Sequence, residues 1–159
     1  MPDTPATAGG PGPHGFRLKC EWLGGPTGDG LLMLPDGRLQ VMGTAPALGG
    51  PTGRPCPEEL LLSALAGCYA ITAAGIAEKR RLPLARLGIE ATATITPQDD
   101  HSLKLTAARV AATFILNSAT EPQVRAARET ARQAETYCMI ANALRDSVKL
   151  TFDAVVVAD

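Results

Sequence analysis

Four cysteines are the side chains of this sequence most able to do covalent chemistry: Cys20, Cys56, Cys68 and Cys138. A thiolate is a nucleophile that can be oxidised, and two thiols at the right distance can close a reversible disulfide. In a reducing compartment a cysteine is either an inert core residue or a catalytic or redox-active one. The elements that carry each cysteine decide between these two roles.

Metal binding and a disulfide framework are the first alternatives to consider. No two of the cysteines have CxxC spacing, only His14 and His101 offer imidazole ligands, and no glycine-rich nucleotide-binding loop is present. We therefore expect no metal and no cofactor. A chain of 159 residues can bury a core without disulfides, so a secreted disulfide scaffold is not expected either.

A long helix is predicted to carry Cys68 near its middle. It begins at Pro57, because proline suits the first helical position and Glu58 and Glu59 suit the positive end of the helix dipole. It ends near the charged run at 78–81. Apolar residues occupy nearly all of its faces, which predicts a buried helix rather than a membrane span.

A second helix, beginning near Glu121, is predicted to carry Cys138 on its inner face. That face consists of Val124, Ala127, Ala131, Ala134, Cys138 and Ala141. Packed helices lie about 8–10 Å apart between their axes, and disulfide-bonded Cα atoms lie about 4.4–6.8 Å apart. Cysteines at a crossing lined by small residues such as Gly67 can meet that distance. Burial as inert core residues remains the alternative for both cysteines.

The other regular segments are predicted to be strands. They are Phe16–Leu23, Gly30–Leu34, Arg38–Met42, Leu87–Thr96, Leu103–Leu116 and Val148–Val157. Three strands, a helix, two strands, a helix and a strand predict an α+β fold with largely antiparallel sheets. Residues 1–15, which are rich in proline and glycine, are predicted to form a flexible tail, and 16–159 a single domain.

Composition limits the partners and the location. The net charge is −1 and the sequence has no basic stripe, which argues against nucleic acid as a partner. The first 15 residues lack the apolar core of a secretory signal, and no membrane association is expected. The cytoplasm is therefore the expected location.

The sequence around Cys68 resembles the OsmC/Ohr family of organic hydroperoxide resistance proteins. Residues 57–68, PEELLLSALAGC, are similar to the family signature PEELLLAALAGC, and the preceding 46–50, PALGG, resembles its lead-in. Residues 138–144, CMIANAL, occupy the place of the family's second-cysteine motif. The resemblance extends from Trp22 to the C-terminus.

This resemblance implies an OsmC-like fold, in which antiparallel sheets pack on two central helices of an intertwined homodimer with its sites at the subunit interface. It implies a peroxidase in which Cys68 attacks the peroxide and becomes a sulfenic acid, and Cys138 then condenses with it to a disulfide. The substrate would be a fatty or aromatic hydroperoxide. An external dithiol, lipoyl or similar, would reduce the pair again.

The resemblance also implies an activating ion pair. The pKa of a free cysteine is about 8.5 and apolar burial raises it, so the attacking cysteine needs a cation or donor nearby. In the family an arginine held by a glutamate does this, and Glu58 matches the glutamate. Ten residues of helix span roughly 15 Å, so Glu58 would serve Cys68 of a partner subunit unless the helix breaks. Stabilisation of the helix dipole is the simpler role for Glu58.

The family arginine has no match at its usual places. In one branch it follows two glycines where this chain has Pro26, and in another it precedes the signature where this chain has Leu48. Arg54 is the nearest substitute, with Arg38 and Arg17 as further options. This departure keeps two other functions open: a non-enzymatic thiol switch, and a carrier that binds an apolar ligand while its cysteines stay reduced.

The remaining cysteines are given lesser roles. Cys56 stands where the family often has a helix-capping asparagine, so it is a tolerated substitution or a surface thiol near the site. Cys20 is predicted to pack on the first strand. Tyr69 and Tyr137 each neighbour a cysteine and line a pocket or simply pack between helices.

Overall fold

The computed structural model describes residues 13 and 15–158, so most of the predicted tail at 1–15 lies outside the described residues. The described chain forms two compact units, one ending at Cys56 and the other beginning at Pro57. The prediction that 16–159 is a single domain stays a prediction. The α+β class is confirmed, with three strands in each unit and all the α-helices described in the second.

The first unit is a three-stranded antiparallel sheet. Its strands are β1 (Lys19–Leu23), β2 (Asp29–Met33) and β3 (Leu39–Met42), in that order across the sheet. A tight turn at Pro35-Asp36-Gly37 joins β2 to β3: the Gly37 N–H donates to Leu34 O at 2.9 Å, and Gly37 has a φ of +83°. A short 3-10 turn, Pro46–Leu48, lies in the loop that follows.

The second unit contains the helices and a mixed sheet. Helix α1 (Pro57–Lys79) precedes the hairpin of β4 (Leu84–Pro97) and β5 (Leu103–Leu116), whose strands pair antiparallel. Helices α2 (Glu121–Tyr137) and α3 (Met139–Leu144) then lead to β6 (Lys149–Ala158), which pairs parallel to β5. The crossover through α2 and α3 makes the parallel pairing possible, so three of the four strand pairings described are antiparallel.

The core of this unit lies between the helices and one face of the sheet. Phe114 and Val110 of β5 are fully buried against Leu65 and Tyr69 of α1 and the alanines of α2. The alternation of buried and exposed residues along β5 explains why this strand covers the helices with one face only. All five small or sulfur-bearing residues predicted on the inner face from Ala127 to Ala141 are buried.

Helix α1 is less buried than the sequence predicts. Its fully buried residues form one stripe with four-residue spacing: Leu65, Tyr69, Ala73 and Ala77. The other apolar faces remain open, and Ile71 is 77% exposed. By length and composition alone α1 could cross a membrane, a test that core helices of soluble proteins also pass. The prediction of burial on nearly all faces is therefore wrong for the single chain, because no other element of the second unit covers its outer side.

Candidate functional site

Helices α1 and α2 pack against each other through small side chains. Ala73 on α1 and Ala127, Ala131 and Ala134 on α2 are all buried, which lets the two backbones approach closely. Hydrogen bonds fix the crossing further along, where Arg80 Nη1 donates to Ala126 O at 2.9 Å. The close approach brings the residues after Ala134 toward the middle of α1, where Cys68 lies.

Cys138 lies at a break between two helices and not within one. Its N–H donates to Ala134 O and closes α2, while its carbonyl accepts from the Asn142 N–H and begins α3, both at 3.0 Å. Its backbone is extended, with φ −68° and ψ 110°. The prediction that Cys138 lies on the second helix is corrected in this respect, although its inward direction is right. At the break the thiol itself caps α3: Cys138 Sγ accepts from the Ala141 N–H at 3.4 Å.

The cysteines differ in exposure and in electrostatics. Both are free thiols, and Cys138 is completely buried whereas Cys68 is half-buried. Burial raises the pKa of the Cys138 thiol, the backbone N–H groups of Ala141 and Ile140 oppose that shift, and a hydrogen bond with Cys68 together with its charge raises the pKa further. The structure thus places the predicted pair beside each other at the core of the second unit.

Tyr69 ties the two helices together immediately beside Cys68. Its side chain is 1% exposed, its hydroxyl donates to Ala131 O on α2 at 3.1 Å, and its ring stacks on Phe152 with centroids 5.6 Å apart. Burial raises the pKa of Tyr69 to about 12, with smaller contributions from the charges of Glu135 and Cys138. Of the two alternatives for Tyr69, the structure supports both, since this side chain packs between helices and also lines a cavity of about 290 Å³.

Alkaline pH is expected to destabilise the wild-type protein more than a Tyr69→Phe variant. The pKa of Tyr69 is about 12 in the folded protein and about 10 when unfolded. The unfolded chain therefore releases the phenol proton at a lower pH than the folded protein does. The stability that Tyr69 contributes through this difference in pKa is complete below about pH 10 and is lost as the pH rises toward about 12. We expect an extra loss of about 2 kcal/mol in the free energy of unfolding, measured by urea denaturation at about pH 9 and about pH 11.5. Tyr137→Phe, at an exposed tyrosine, is the control; an equal response in all three proteins would contradict the prediction.

Glu58 occupies the first turn of an unbroken α1, ten residues before Cys68. Ten helical residues span about 15 Å, so this carboxylate does not reach the Cys68 of its own chain. Its Oε2 atom is buried and, within the described residues, has no hydrogen-bond partner. Glu58 also lines a cavity of about 250 Å³ with Leu61, Ile95 and Leu105 among its walls. A buried carboxylate oxygen without a partner costs free energy.

Arg54 lies in the first unit, where it forms an ion pair with Asp29. Arg38, a second option, pairs with Asp36 at 2.6 Å in the β2–β3 turn. Both of these guanidinium groups therefore already have a carboxylate partner. The assignment of an activating arginine stays a prediction.

The other two cysteines differ from each other. Cys20 is exposed on β1, in contrast to its predicted packing role, because all five residues of that strand are exposed. Cys56 is buried, so its description as a surface thiol is wrong. Among the described residues no cluster of three or more His, Cys, Asp or Glu side chains could hold a metal ion.

Two polar side chains near the break were not singled out from the sequence. Asn142 Nδ2 donates to Thr136 O at 3.0 Å, and Arg145 Nη2 donates to Glu135 O at 3.3 Å. A polar residue four positions after a cysteine is a weak signal by itself. Their significance depends on the break, which the helical periodicity does not reveal.

Comparisons with known proteins identify the family. Residues 49–153 match the family of OsmC-like proteins. The chain is 28% identical over 142 residues to the uncharacterized protein YmaD of Bacillus subtilis, covering 89% of this chain and 93% of YmaD. Solved structures agree in fold. The organic hydroperoxide resistance protein OsmC of Legionella pneumophila has a TM-score of 0.70 at 18% identity, over 87% of this chain and 96% of that one.

A second structural relative is OhrB of Bacillus subtilis, an organic hydroperoxide resistance protein. It has a TM-score of 0.67 at 21% identity, over 88% of this chain and 98% of that chain. Identities at this level show the fold alone. The family match covers the signature helix, the cysteine pair and most of the sheet, and the predicted resemblance is thereby confirmed. This chain belongs to the OsmC-like protein family.

Proposed function

We propose that this protein is a thiol peroxidase that reduces organic hydroperoxides with Cys68 and Cys138. The observation that carries the proposal is the pair itself: a half-buried free thiol in contact with a fully buried one, at the crossing of two helices. Membership of the OsmC-like family and the hydroperoxide resistance role of the structural relatives support the same chemistry.

The exposure of the two thiols supports an order of events. Cys68 is the more accessible of the two, so its thiolate attacks one peroxide oxygen, the O–O bond breaks, and the alkoxide takes a proton and leaves as the alcohol. The Cys138 thiolate then attacks the sulfur of the Cys68 sulfenic acid. The S–O bond breaks, hydroxide takes a proton to become water, and a disulfide joins the two helices.

Reduction of that disulfide requires an external dithiol, which is itself oxidised to a disulfide. A lipoyl-type dithiol in the cytoplasm is our proposal for this partner.

We further propose that the working form is a homodimer with its sites at the interface. Two features of α1 support this: its outer faces are apolar yet open, with Ile71 77% exposed, and Glu58 Oε2 is buried without a partner in the described chain. A second copy of the chain would cover the open apolar faces of α1 and would supply a cation or hydrogen-bond donor for Glu58. Glu58 would then act on the Cys68 of the partner subunit.

A thiol switch is the second candidate. The ion pair of Arg54 with Asp29 favours it. The Arg54 guanidinium is the proposed source of the positive charge that would activate Cys68, and Asp29 already neutralises it. In a switch the same disulfide forms, but slowly, and its closure changes the structure instead of completing a catalytic cycle.

Mixing the reduced protein with cumene hydroperoxide and trapping thiols after millisecond delays tests the proposal. We expect oxidation at neutral pH far faster than that of glutathione. Oxidation by hydrogen peroxide should be slower, because the part of α1 that follows Cys68 lines a groove with apolar walls that include Ile71 and Ile76. Oxidation no faster than that of glutathione would contradict the peroxidase proposal and would favour the thiol switch. Repeated turnover with a dithiol present distinguishes the enzyme from a protein that oxidises once.

A further inference from the structure

The break at Cys138 leaves the last three backbone carbonyls of α2, those of Glu135, Thr136 and Tyr137, without their usual helical donors. In a continuous helix, Glu135 O would accept from the Met139 N–H and Thr136 O from the Ile140 N–H. The extended backbone of Cys138 directs the following N–H groups toward its own sulfur, and the Ala141 N–H donates to Cys138 Sγ at 3.4 Å. Such a break persists only where other groups satisfy the freed carbonyls.

Two side chains, one on α3 and one on the residue that follows α3, donate hydrogen bonds to freed carbonyls of α2. Asn142 Nδ2 donates to Thr136 O at 3.0 Å, and Arg145 Nη2 donates to Glu135 O at 3.3 Å. Arg145 also contacts the Glu135 carboxylate at 3.6 Å and Asn142 Oδ1 at 3.5 Å. We call Asn142 and Arg145 the clasp, because together they tie α3 back to the last turn of α2.

The clasp holds the segment of backbone that carries the Cys138 thiol. Cys138 is completely buried, and its backbone joins the two helices that the clasp holds. A displacement of about 1 Å between reacting atoms can slow a reaction by about a hundredfold. Disulfide closure needs the Cys138 sulfur to approach the Cys68 sulfur in line with the S–O bond that breaks. The angle between α2 and α3 therefore affects this step directly.

We propose that Asn142 and Arg145 are positioning residues for Cys138, which set how fast the disulfide closes after Cys68 is oxidised. This inference rests on the proposed peroxidase function, which it deepens. The step concerned is attack of the Cys138 thiolate on the Cys68 sulfenic acid, with cleavage of the S–O bond and loss of hydroxide as water. Neither side chain touches the peroxide, so attack by Cys68 is unaffected.

The two fates of a sulfenic acid give a readout that simple loss of stability would not change. The Cys68 sulfenic acid either condenses with Cys138 or reacts with a second hydroperoxide to form a sulfinic acid. Slower closure therefore raises the yield of sulfinic acid at each peroxide concentration. Intact mass spectrometry after a timed quench separates the disulfide, which has lost two hydrogen atoms, from the sulfinic acid, which has gained two oxygen atoms.

The test compares Asn142→Ala and Arg145→Ala with wild type, using cumene hydroperoxide. We expect disulfide closure to slow about five- to tenfold in each variant, the effect of one hydrogen bond, with a corresponding rise in sulfinic acid. Arg145→Lys retains a donor and should recover part of the rate. Arg132→Ala is the matched control, because Arg132 is an exposed arginine of α2 that forms an ion pair of 3.7 Å with Glu129 and is not part of the clasp. Thermal unfolding verifies that each variant is folded.

A second arm keeps the test independent of peroxidase activity. Oxidised glutathione forms a mixed disulfide with Cys68 and releases one glutathione thiolate, and Cys138 then displaces the second. The clasp variants should accumulate the mixed disulfide, and the Arg132→Ala control should not. If wild type fails with peroxide but the variants differ here, the proposed function is wrong and the positioning role stands. Wild-type closure rates in folded clasp variants, in both arms, would overturn the positioning role itself.

Discussion

Replacing Cys68 by serine is expected to abolish peroxide reduction, whereas replacing Cys138 by serine should preserve the first oxidation and prevent disulfide formation. A serine hydroxyl is not ionised at neutral pH and does not attack the O–O bond, so we expect Cys68→Ser to lose at least about 10³-fold in rate, or about 4 kcal/mol of barrier lowering. The Cys138→Ser variant should accumulate sulfenic and then sulfinic acid at Cys68. Rapid quench followed by intact mass measures both species.

The control for this pair is Cys20→Ser, because Cys20 is an exposed thiol on β1, in the first unit of the chain. It should react with alkylating agents as any surface thiol does, and its removal should leave the oxidation rate unchanged. Rapid oxidation that survives in Cys68→Ser but disappears in Cys138→Ser would reverse the assigned roles. That outcome requires the buried thiol to be the attacking one, against the exposure of the two side chains.

The asymmetry between the thiols is a property of the fold. Cys68 lies on a continuous helix with one side open, while Cys138 lies at a break enclosed by α1, α2 and α3. Burial, together with the neighbouring Cys68, raises the pKa of Cys138, which favours the protonated form of this thiol. A protonated resolving thiol also avoids competing for the peroxide, because the thiolate is the reactive form.

Local signals in the sequence were sufficient to predict most of the elements. Pro57 with two following glutamates predicts the start of α1 at the observed residue, because an N-terminal proline and acidic first turn suit a helix start. Pro35-Asp36-Gly37 predicts the β2–β3 turn for a similar reason. The inner face of α2 is correctly predicted as well, since alanines at helical spacing pack against a neighbour wherever that neighbour lies.

The break at Cys138 could not be predicted in the same way. The sequence from Glu121 to Leu144 has no glycine, and its apolar spacing continues through Cys138 as if the helix were unbroken. The break depends on tertiary compensation, in which Asn142 and Arg145 satisfy carbonyls that a continuous helix would satisfy itself. Periodicity reports which residues share a face, but not whether the backbone between them is continuous.

The exposure of α1 could not be predicted from the sequence either, for a different reason. An apolar helix is predicted to be buried, and the sequence does not say whether its own chain or a second copy covers it. A groove of about 540 Å³ runs beside the exposed Ile71 and is lined by Thr72, Ile76 and Tyr137, with Lys79 near the end of the helix. Apolar surface of this kind on a soluble protein is typical of an interface.

Replacing Ile71 by aspartate is therefore expected to dissociate the proposed dimer. Burial of one isoleucine stabilises an interface by roughly 1.5–3 kcal/mol, and a twofold axis applies each change twice. An unpaired carboxylate placed there adds the cost of desolvating a charge. We expect the dimer dissociation constant to rise at least about a hundredfold, measured by sedimentation velocity over a range of protein concentrations.

Val155→Asp is the matched control for that experiment, because Val155 is a 60% exposed apolar residue on β6, in the same unit as α1 but on the sheet. If α1 is the interface, only Ile71→Asp produces monomers. Peroxide reduction should fall with it, although both cysteines are intact, because Glu58 would lose the partner subunit on which it acts. A monomeric wild type, or a monomeric Ile71→Asp variant with full activity, would contradict an interfacial site. In that case the open face of α1 would have to serve a ligand instead, as in the carrier hypothesis, and the buried oxygen of Glu58 would need a partner from its own chain.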